Sequence, residues 1–381
     1  MREFDLKQHS NALHGEFVSN RHHVHSSTTT TSTRETSNLL PRFFAQEFDL
    51  NSRVQYRGGS VSHQHHSSTE IDFRSSTTAS NLNTFIDNHL QPTTEFNNEM
   101  NETVDKICKF LRDHFQPAKV VKGGSLGKGT AVKGKSDIDL VLILNEVTSA
   151  ADLKTELPKL KEDIIEKLRR QCHNYKLGIE GDISETPFAV KFTVKGKYEN
   201  IDVDLLPTFH VNDLKRLYND MTTDVENIDY YSVALVKYQV EFVRGKPANL
   251  KNLIRLIKYW KKENVRATGS GRIPTSYVME LITIHLWEKR KGYDGTFDTL
   301  KALHGIMTAL NDYTSLQAIW NDNYQTNEIP RSIQGERPLV MDPANPTNNV
   351  CSNFEWEEIR SAAINVLGSP MMRGVTSTMW N

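Results

Sequence analysis

The segment Asp137-Ile138-Asp139, followed directly by the apolar run LVLIL at 140–144, constrains the fold most strongly. The continuous apolar run is typical of a strand that is buried on both faces. Because side chains alternate along a strand, Asp137 and Asp139 lie on the same face at its beginning. Two neighbouring carboxylates repel each other unless a cation lies between them, and Mg²⁺ prefers oxygen ligands. The segment therefore predicts a divalent metal site at the start of a buried strand.

A third carboxylate is expected from a neighbouring strand, and the alternating segment NIDVDLLPTF at 200–209 supplies two candidates. Asp204 precedes an apolar exit, and Pro207 is expected to end the strand. Asp202 lies two residues away on the same face. Periodicity alone therefore leaves Asp202 and Asp204 both open.

A glycine-rich stretch, GGSLGKGT at 123–130, precedes the paired aspartates. Glycine lets the backbone approach a ligand closely, so Gly124 and the Ser125 hydroxyl are candidates for binding donor phosphates. The stretch is not a P-loop, because Lys128 is followed by Gly129 instead of Ser or Thr. It also differs from a dinucleotide-binding fingerprint, because we expect it to precede a strand and not to open a helix. Together with the aspartates it predicts metal-assisted transfer at a phosphorus atom.

The chain divides by composition into a tail and two lobes, which predicts an α+β protein. Residues 1–80 are rich in Ser, Thr and His, with eight of the 14 histidines before residue 67, and are expected to be disordered. Residues 81–231 are expected to form a mixed α/β catalytic domain. Residues 232–381 are expected to form a helical domain, because their apolar residues recur every three or four positions.

Inside the mixed lobe, the spacing predicts two long helices and one more strand. Residues 94–115 have one apolar stripe, and Pro117 closes that helix. Residues 153–172 read as a second helix, with Pro158 near its first turn. The segment AVKFTV at 189–194 alternates as a strand does.

Composition excludes several classes of protein. The net charge is −1, so no global field marks a nucleic-acid partner, although a local basic face is still open. Three widely spaced cysteines, Cys108, Cys172 and Cys351, argue against a disulfide framework and a Cys-rich zinc site. No apolar run approaches the roughly 20 residues that a membrane helix needs. We also see no signal peptide, so a cytoplasmic location is expected.

Over roughly residues 82–370 the sequence resembles the 2′-5′-oligoadenylate synthetases, within the wider family that includes cyclic GMP-AMP synthase. The resemblance rests on six segments in the same order: LNTFIDNHLQPTTEF, VVKGGSLGKGTAVKGKSDIDLVLIL, IDVDLLPTF, RGKPANLKNLIRLIKYW, IPTSYVMELITIHLWE and MDPANPTNNV. It implies a polymerase-β-like nucleotidyltransferase lobe packed on a helical C-terminal lobe. It also implies an enzyme of innate immunity and antiviral defence that makes 2′-5′-linked oligoadenylates from ATP and releases pyrophosphate.

The resemblance assigns roles to individual residues. It favours Asp204 over Asp202, so that two Mg²⁺ ions, with Mn²⁺ as a possible substitute, would be held by Asp137, Asp139 and Asp204. The donor ATP would be held by Gly124, Ser125, Lys258, Ser276 and Tyr277. Double-stranded RNA would activate the enzyme, read by shape through phosphate and 2′-hydroxyl contacts. The positions that match RNA contacts are Lys122, Lys128, Arg244, Arg112 and Asn101.

Departures from the family pattern keep other products and partners open. Ser276 precedes Tyr277, a pair found in cyclic-dinucleotide enzymes, whereas the oligoadenylate synthetases usually carry Gln there. The His and clustered Cys of a zinc thumb are absent from the sequence, which favours a linear product. The Cys-Phe-Lys oligomerisation motif is absent too, so a monomer is expected. A synthetase that needs no RNA and a non-catalytic RNA-binding module are the remaining alternatives.

Overall fold

The computed structural model describes residues 72–73, 75–134, 137–268, 271–289 and 297–376. Most of the tail predicted at residues 1–80 lies outside these ranges. The first helix, α1, nevertheless begins inside that tail, at Ser76, and spans Ser76–Phe85. It continues as a π-helical turn, Ile86–Leu90. A described helix is therefore already present before position 81.

The long helix predicted for residues 94–115 is confirmed as α2, Thr94–Phe115. The Thr93 side chain caps its first turn by accepting a hydrogen bond from the backbone N–H of Phe96. The apolar stripe is buried, as the spacing predicts, at Met100, Val104, Ile107 and Leu111. The helix ends at Gln116, which takes a left-handed conformation directly before Pro117.

A five-stranded mixed sheet in the order β1-β2-β5-β4-β3 forms the centre of the first lobe. β2 and β5 are parallel, and the other neighbours are antiparallel. The strands are β1 Lys119–Lys122, β2 Asp137–Leu144, β3 Ile179–Glu185, β4 Val190–Val194 and β5 Ile201–Phe209. The predictions of β2, β4 and β5 are confirmed. β1 and β3 carry little alternation of burial, so hydrophobic pattern does not reveal them.

The prediction that Pro207 ends its strand is wrong, because β5 continues through Pro207 to Phe209. Pro207 pairs with Leu142 of β2, whereas β4 pairs with β5 only from Ile201 to Leu205. The missing N–H of Pro207 therefore breaks no β4–β5 hydrogen bond. Proline is tolerated where one edge of a strand has no partner.

Two local details of the helices also differ from expectation. The Ser149 side chain caps the second long helix, α4, Ala150–Gln171, so Pro158 lies inside the helix and not in its first turn. The glycine-rich stretch does open a helix, because the single turn α3, Gly124–Lys128, lies between β1 and β2. This short helix is closed by Gly129 in a left-handed conformation.

The second lobe is mainly helical, as predicted, but it also contains a small three-stranded sheet. Its longer helices are α5 Leu214–Thr223, α6 Ile228–Arg244, α7 Ala248–Asn264, α8 Ser276–Lys289 and α9 Thr299–Asn311. They are followed by β6 Gln317–Ala318, α10 Arg331–Gln334, β7 Leu339–Asp342, β8 Asn345–Asn349 and α11 Trp356–Leu367. Hydrophobic pattern did not reveal these strands, because β6 and β7 have two and four residues and β8 consists only of Asn, Pro and Thr.

One continuous hydrophobic cluster includes side chains from both lobes, from Ile138 of β2 to Trp260 of α7. The lobe boundary near residue 231 therefore stays a prediction. Within the described ranges, none of the helices is both long enough and apolar enough to cross a bilayer.

Candidate active site

The register of the central parallel strands brings the predicted carboxylates together. Asp139 of β2 lies beside Asp204 of β5, and Asp137 lies beside Asp202. Neighbouring strands are about 4.8 Å apart, so side chains of paired residues on the same face can share one ion. The strand pairing therefore places four acidic residues on one surface of the sheet.

The surroundings of Asp202 and Asp204 distinguish these two candidates. Asp202 is exposed, and its carboxylate accepts a hydrogen bond of 2.8 Å from the Thr193 hydroxyl. The Asp204 side chain is only 15% exposed, and its Oδ1 lies 3.5 Å from Nζ of Lys191. Because Asp204 is the strand neighbour of Asp139, the geometry favours it as the third ligand.

Electrostatics set this pair of aspartates apart from ordinary surface carboxylates. Burial, and secondarily the charge of Asp137, raise the pKa of Asp139 to about 6. Burial, and then the charge of Asp139, raise the pKa of Asp204 to about 7. Lys191 opposes both shifts. The protein thus keeps concentrated negative charge in a poorly hydrated place, which a divalent cation would stabilise.

Each of the two carboxylates also has a neighbour on its other side. The Asp139 carboxylate lies against the backbone of Gly124, whose φ is +48°, and a Cβ at that glycine would overlap it. The Asp204 carboxylate contacts Lys191 on β4, which is on the far side of β5 from β2. Among the described residues, no three acidic, His or Cys side chains form an assembled metal site.

The residues present nevertheless fit a magnesium site in their chemistry. All three candidate ligands are carboxylates, and they start on adjacent strands of one rigid sheet. Asp139 and Asp204 are already paired across β2 and β5, so their side chains can share an ion without a change of strand register.

A buried ionic cluster lies beside the glycine-rich stretch and centres on Glu280 of α8, which is 2% exposed. The Glu280 carboxylate accepts hydrogen bonds from Lys128 at 2.9 Å, Thr130 at 2.7 Å and Lys258 at 3.2 Å. Burial by itself would raise the pKa of Glu280, but Lys128 and Lys258 with these hydrogen bonds lower it to about 2. Glu280 is therefore an anion that ties the end of α3 to α7 and α8.

The candidate donor residues from the second lobe surround this cluster. Lys258 also donates to the backbone carbonyl of Thr130 at 3.3 Å. Nζ of Lys128 lies 4.0 Å above the centre of the Tyr277 ring. The Tyr277 hydroxyl donates to the buried Asp342 carboxylate, and Ser276 is the first residue of α8. Lys258, Ser276 and Tyr277 thus lie around the same loop as Gly124 and Ser125, while binding of ATP by these residues stays a prediction.

The residues predicted to contact RNA separate into two groups. Lys122 donates to the side chain of Asn101 at 2.8 Å, and both Lys122 and Arg112 act electrostatically on the thiol of Cys108. Asn101, Arg112 and Lys122 therefore lie close together on the surface of α2 and β1. Lys128 instead points into the ionic cluster and is 12% exposed, so an RNA contact there would require its pair with Glu280 to open.

Arg244 links the possible RNA surface to the glycine-rich stretch. Its guanidinium donates to the carbonyls of Gly127 at 2.8 Å and of Lys122 at 3.4 Å. The N–H of Gly123, the residue after Lys122, donates to the carbonyl of Asp139 at 2.7 Å. A displacement of Lys122 would therefore reach the backbone of β2 at Asp139 through the hydrogen bond of the adjacent Gly123.

Sequence reasoning missed Glu280 and Lys191. The signal for Glu280 is a single carboxylate in the first two turns of the otherwise apolar helix SYVMELITIHLWEK. The signal for Lys191 is a lysine inside AVKFTV. Neither signal has a meaning until the partners from other elements are known.

Comparisons with protein families match both lobes. Residues 104–266 match the model described as nucleotidyltransferase domain. Residues 211–381 match the one described as 2′-5′-oligoadenylate synthetase 1, domain 2, C-terminus. The chain is 30% identical to mouse 2′-5′-oligoadenylate synthase 1A over 301 residues, which cover 71% of this chain and 81% of that protein. It is 32% identical to rat 2′-5′-oligoadenylate synthase 2 over 307 residues, covering 72% of this chain but only 42% of the longer relative.

Solved structures share the fold at low sequence identity. The chain aligns with Escherichia coli CdnC, solved with ATP, at a TM-score of 0.52 and 19% identity, covering 81% of this chain and 100% of that one. It aligns with the Cid1 poly(U) polymerase, solved with MgATP, at a TM-score of 0.50 and 14% identity, covering 80% and 96%. These similarities establish a nucleotidyltransferase fold.

Proposed function

Because this chain belongs to the 2′-5′-oligoadenylate synthetase family, we propose that it joins ATP units through 2′-5′ linkages. The observation that supports this most directly is the pairing of Asp139 with Asp204, next to the glycine-rich stretch at Gly124. A fold that had lost catalysis would have no physical reason to keep these repelling carboxylates side by side.

In the proposed reaction, the 2′-hydroxyl oxygen of the acceptor attacks the α-phosphorus of the donor ATP. The new phosphorus–oxygen bond forms as the bond to pyrophosphate breaks, and the hydroxyl proton is released. Asp137, Asp139 and Asp204 would hold two magnesium ions, which would supply charge neutralisation for the phosphates and activation of the hydroxyl. The protein contributes position and charge and forms no covalent intermediate.

The donor triphosphate would lie along the loop from Gly124 to Ser125. Lys128 ends the helix that this loop opens, Lys258 donates to the Thr130 carbonyl beside it, and both ammonium groups are held by Glu280. A triphosphate would compete with Glu280 for these lysines. Tyr277 presents an aromatic ring beside Lys128, which suits contact with a purine.

Activation by double-stranded RNA is part of the proposal. RNA phosphates would bind the surface formed by Arg112, Lys122 and the neutral Asn101, and the hydrogen bond from Gly123 would carry the shift to Asp139. RNA would need to favour the active arrangement of the carboxylates by about 3–5 kcal/mol to make a minor active state dominant.

Product analysis tests the proposal. The protein is incubated with radiolabelled ATP and Mg²⁺, with and without double-stranded RNA, and the products are treated with phosphatase. We expect linear oligomers whose terminal phosphates are removed, only when RNA is present, and none from an Asp139→Asn variant. Equal synthesis without RNA would identify an RNA-independent synthetase, and RNA binding without any product would identify a non-catalytic module.

A cyclic-dinucleotide product is the second candidate. Ser276 before Tyr277 favours it, because this pair, at the predicted donor-nucleotide site, is the one found in cyclic-dinucleotide enzymes. A phosphatase-resistant product from ATP, or from all four nucleotides together, would establish this alternative. For either product we place the activity in the cytoplasm, as part of antiviral defence by a monomeric protein.

A further inference from the structure

A lysine next to the paired aspartates has no role in the reaction proposed above. Lys191 lies on β4, directly beside Asp204 in the strand register. Its ammonium is 3.5 Å from the Asp204 carboxylate, and its side chain is 27% exposed. It is thus close enough to act on these carboxylates. It approaches them from β4, whereas the glycine-rich stretch approaches them from β1.

We propose that Lys191 is a resident counter-cation of the metal site, which offsets the charge of the Asp204 carboxylate and competes with divalent ions for it. This inference rests on the proposed function, because it assumes that Asp204 is a metal ligand. Lys191 is then a positioning residue that acts through Asp204. Its ammonium competes directly with the metal for that carboxylate.

The strand order supports this role. Asp139 is held on the β1 side, where its carboxylate lies against Gly124, and Asp204 is held on the β4 side by Lys191. A divalent ion that contacts Asp204 would therefore share this carboxylate with the ammonium of Lys191 or displace it.

The charge of Lys191 determines the direction of its effect on metal affinity. In the metal-free protein one ammonium offsets part of the repulsion between Asp139 and Asp204, which stabilises the fold. When a divalent ion enters, the same ammonium repels it. A positive charge a few ångströms from a divalent ion weakens its binding on the order of tenfold even in a water-like medium.

The test measures binding of Mn²⁺ to the full-length chain, without nucleotide, by electron paramagnetic resonance of the free ion. We expect Lys191→Met and Lys191→Gln to bind Mn²⁺ about tenfold more tightly than the wild type. Lys191→Arg should restore wild-type affinity, because it retains the charge. The matched control is Lys195→Met, since Lys195 follows the same strand but pairs with Glu180 and is 70% exposed.

The second measurement is the melting temperature, which reports on the stability of the fold. In EDTA, Lys191→Met should melt at a lower temperature than the wild type, and saturating Mn²⁺ should remove that difference. Unchanged or weaker Mn²⁺ binding by folded Lys191→Met and Lys191→Gln would overturn the inference. The proposed function would fail separately, if wild type and Asp139→Asn bound Mn²⁺ with the same affinity.

Discussion

Replacement of Glu280 by Gln tests whether the buried ionic cluster holds the two lobes together at the glycine-rich stretch. Gln has nearly the shape of Glu but no charge, so it leaves the ammonium groups of Lys128 and Lys258 without their anion. Both lysines are close to buried, at 12% and 11% exposure, and water can replace the lost partner only poorly.

The size of the effect follows from the electrostatics of Glu280. Lowering of its pKa from 4.5 to about 2 corresponds to about 3 kcal/mol of stabilisation of the ionised form. Removal of one partner of a buried ion pair costs about 3–5 kcal/mol of folding free energy. This range agrees with the value obtained from the pKa of Glu280. The contribution is complete above pH 4.5, and it is lost as the pH falls toward 2 and the folded carboxylate takes up a proton.

Thermal unfolding at pH 7, followed by circular dichroism, measures the change. We expect Glu280→Gln to lower the melting temperature by at least about 5 °C. The matched control is Glu288→Gln on the same helix, because Glu288 pairs with Lys246 at 2.6 Å but is 41% exposed. That change should cost less than about 1 kcal/mol. Equal melting temperatures for the two variants would refute the reasoning.

Three further predictions concern the proposed metal-binding carboxylates and the proposed RNA surface. Gly124→Ala should lower nucleotide incorporation about hundredfold by displacing the Asp139 carboxylate, whereas Gly134→Ala, with a similar positive φ but open space, should be active; equal activities would contradict this. In EDTA the protein should become more stable from about pH 7.5 to pH 5, because Asp139 and Asp204 take up protons in the folded state before they do when unfolded; melting curves of Asp139→Asn should show a weaker dependence. Arg112→Gln should weaken RNA binding equally for all sequences and lower the salt slope by about one, as measured by fluorescence anisotropy; an unchanged slope would place Arg112 outside the RNA contact.

Local pattern determined much of the architecture. The apolar stripe of residues 94–115 predicts α2 closely, because a helix repeats every 3.6 residues and the apolar residues of its buried face recur with the same period. The apolar run after Asp139 predicts β2 for the same kind of reason. Weak or absent periodicity explains the failures, since β6 and β7 are very short and β8 is built of Asn, Pro and Thr.

Pairing between distant segments decided the rest. The period of two puts Asp202 and Asp204 on one face, but only the register of β5 against β2 places Asp204 beside Asp139. Glu280 meets Lys128 across 152 positions of sequence, so its role is invisible until α8 packs on the glycine-rich stretch. The sequence by itself determined which chemical groups the protein carries and which of them share a strand or a helix face. Tertiary structure decided which groups are neighbours, because contact between side chains distant in sequence depends on packing and strand register, which no local repeat encodes.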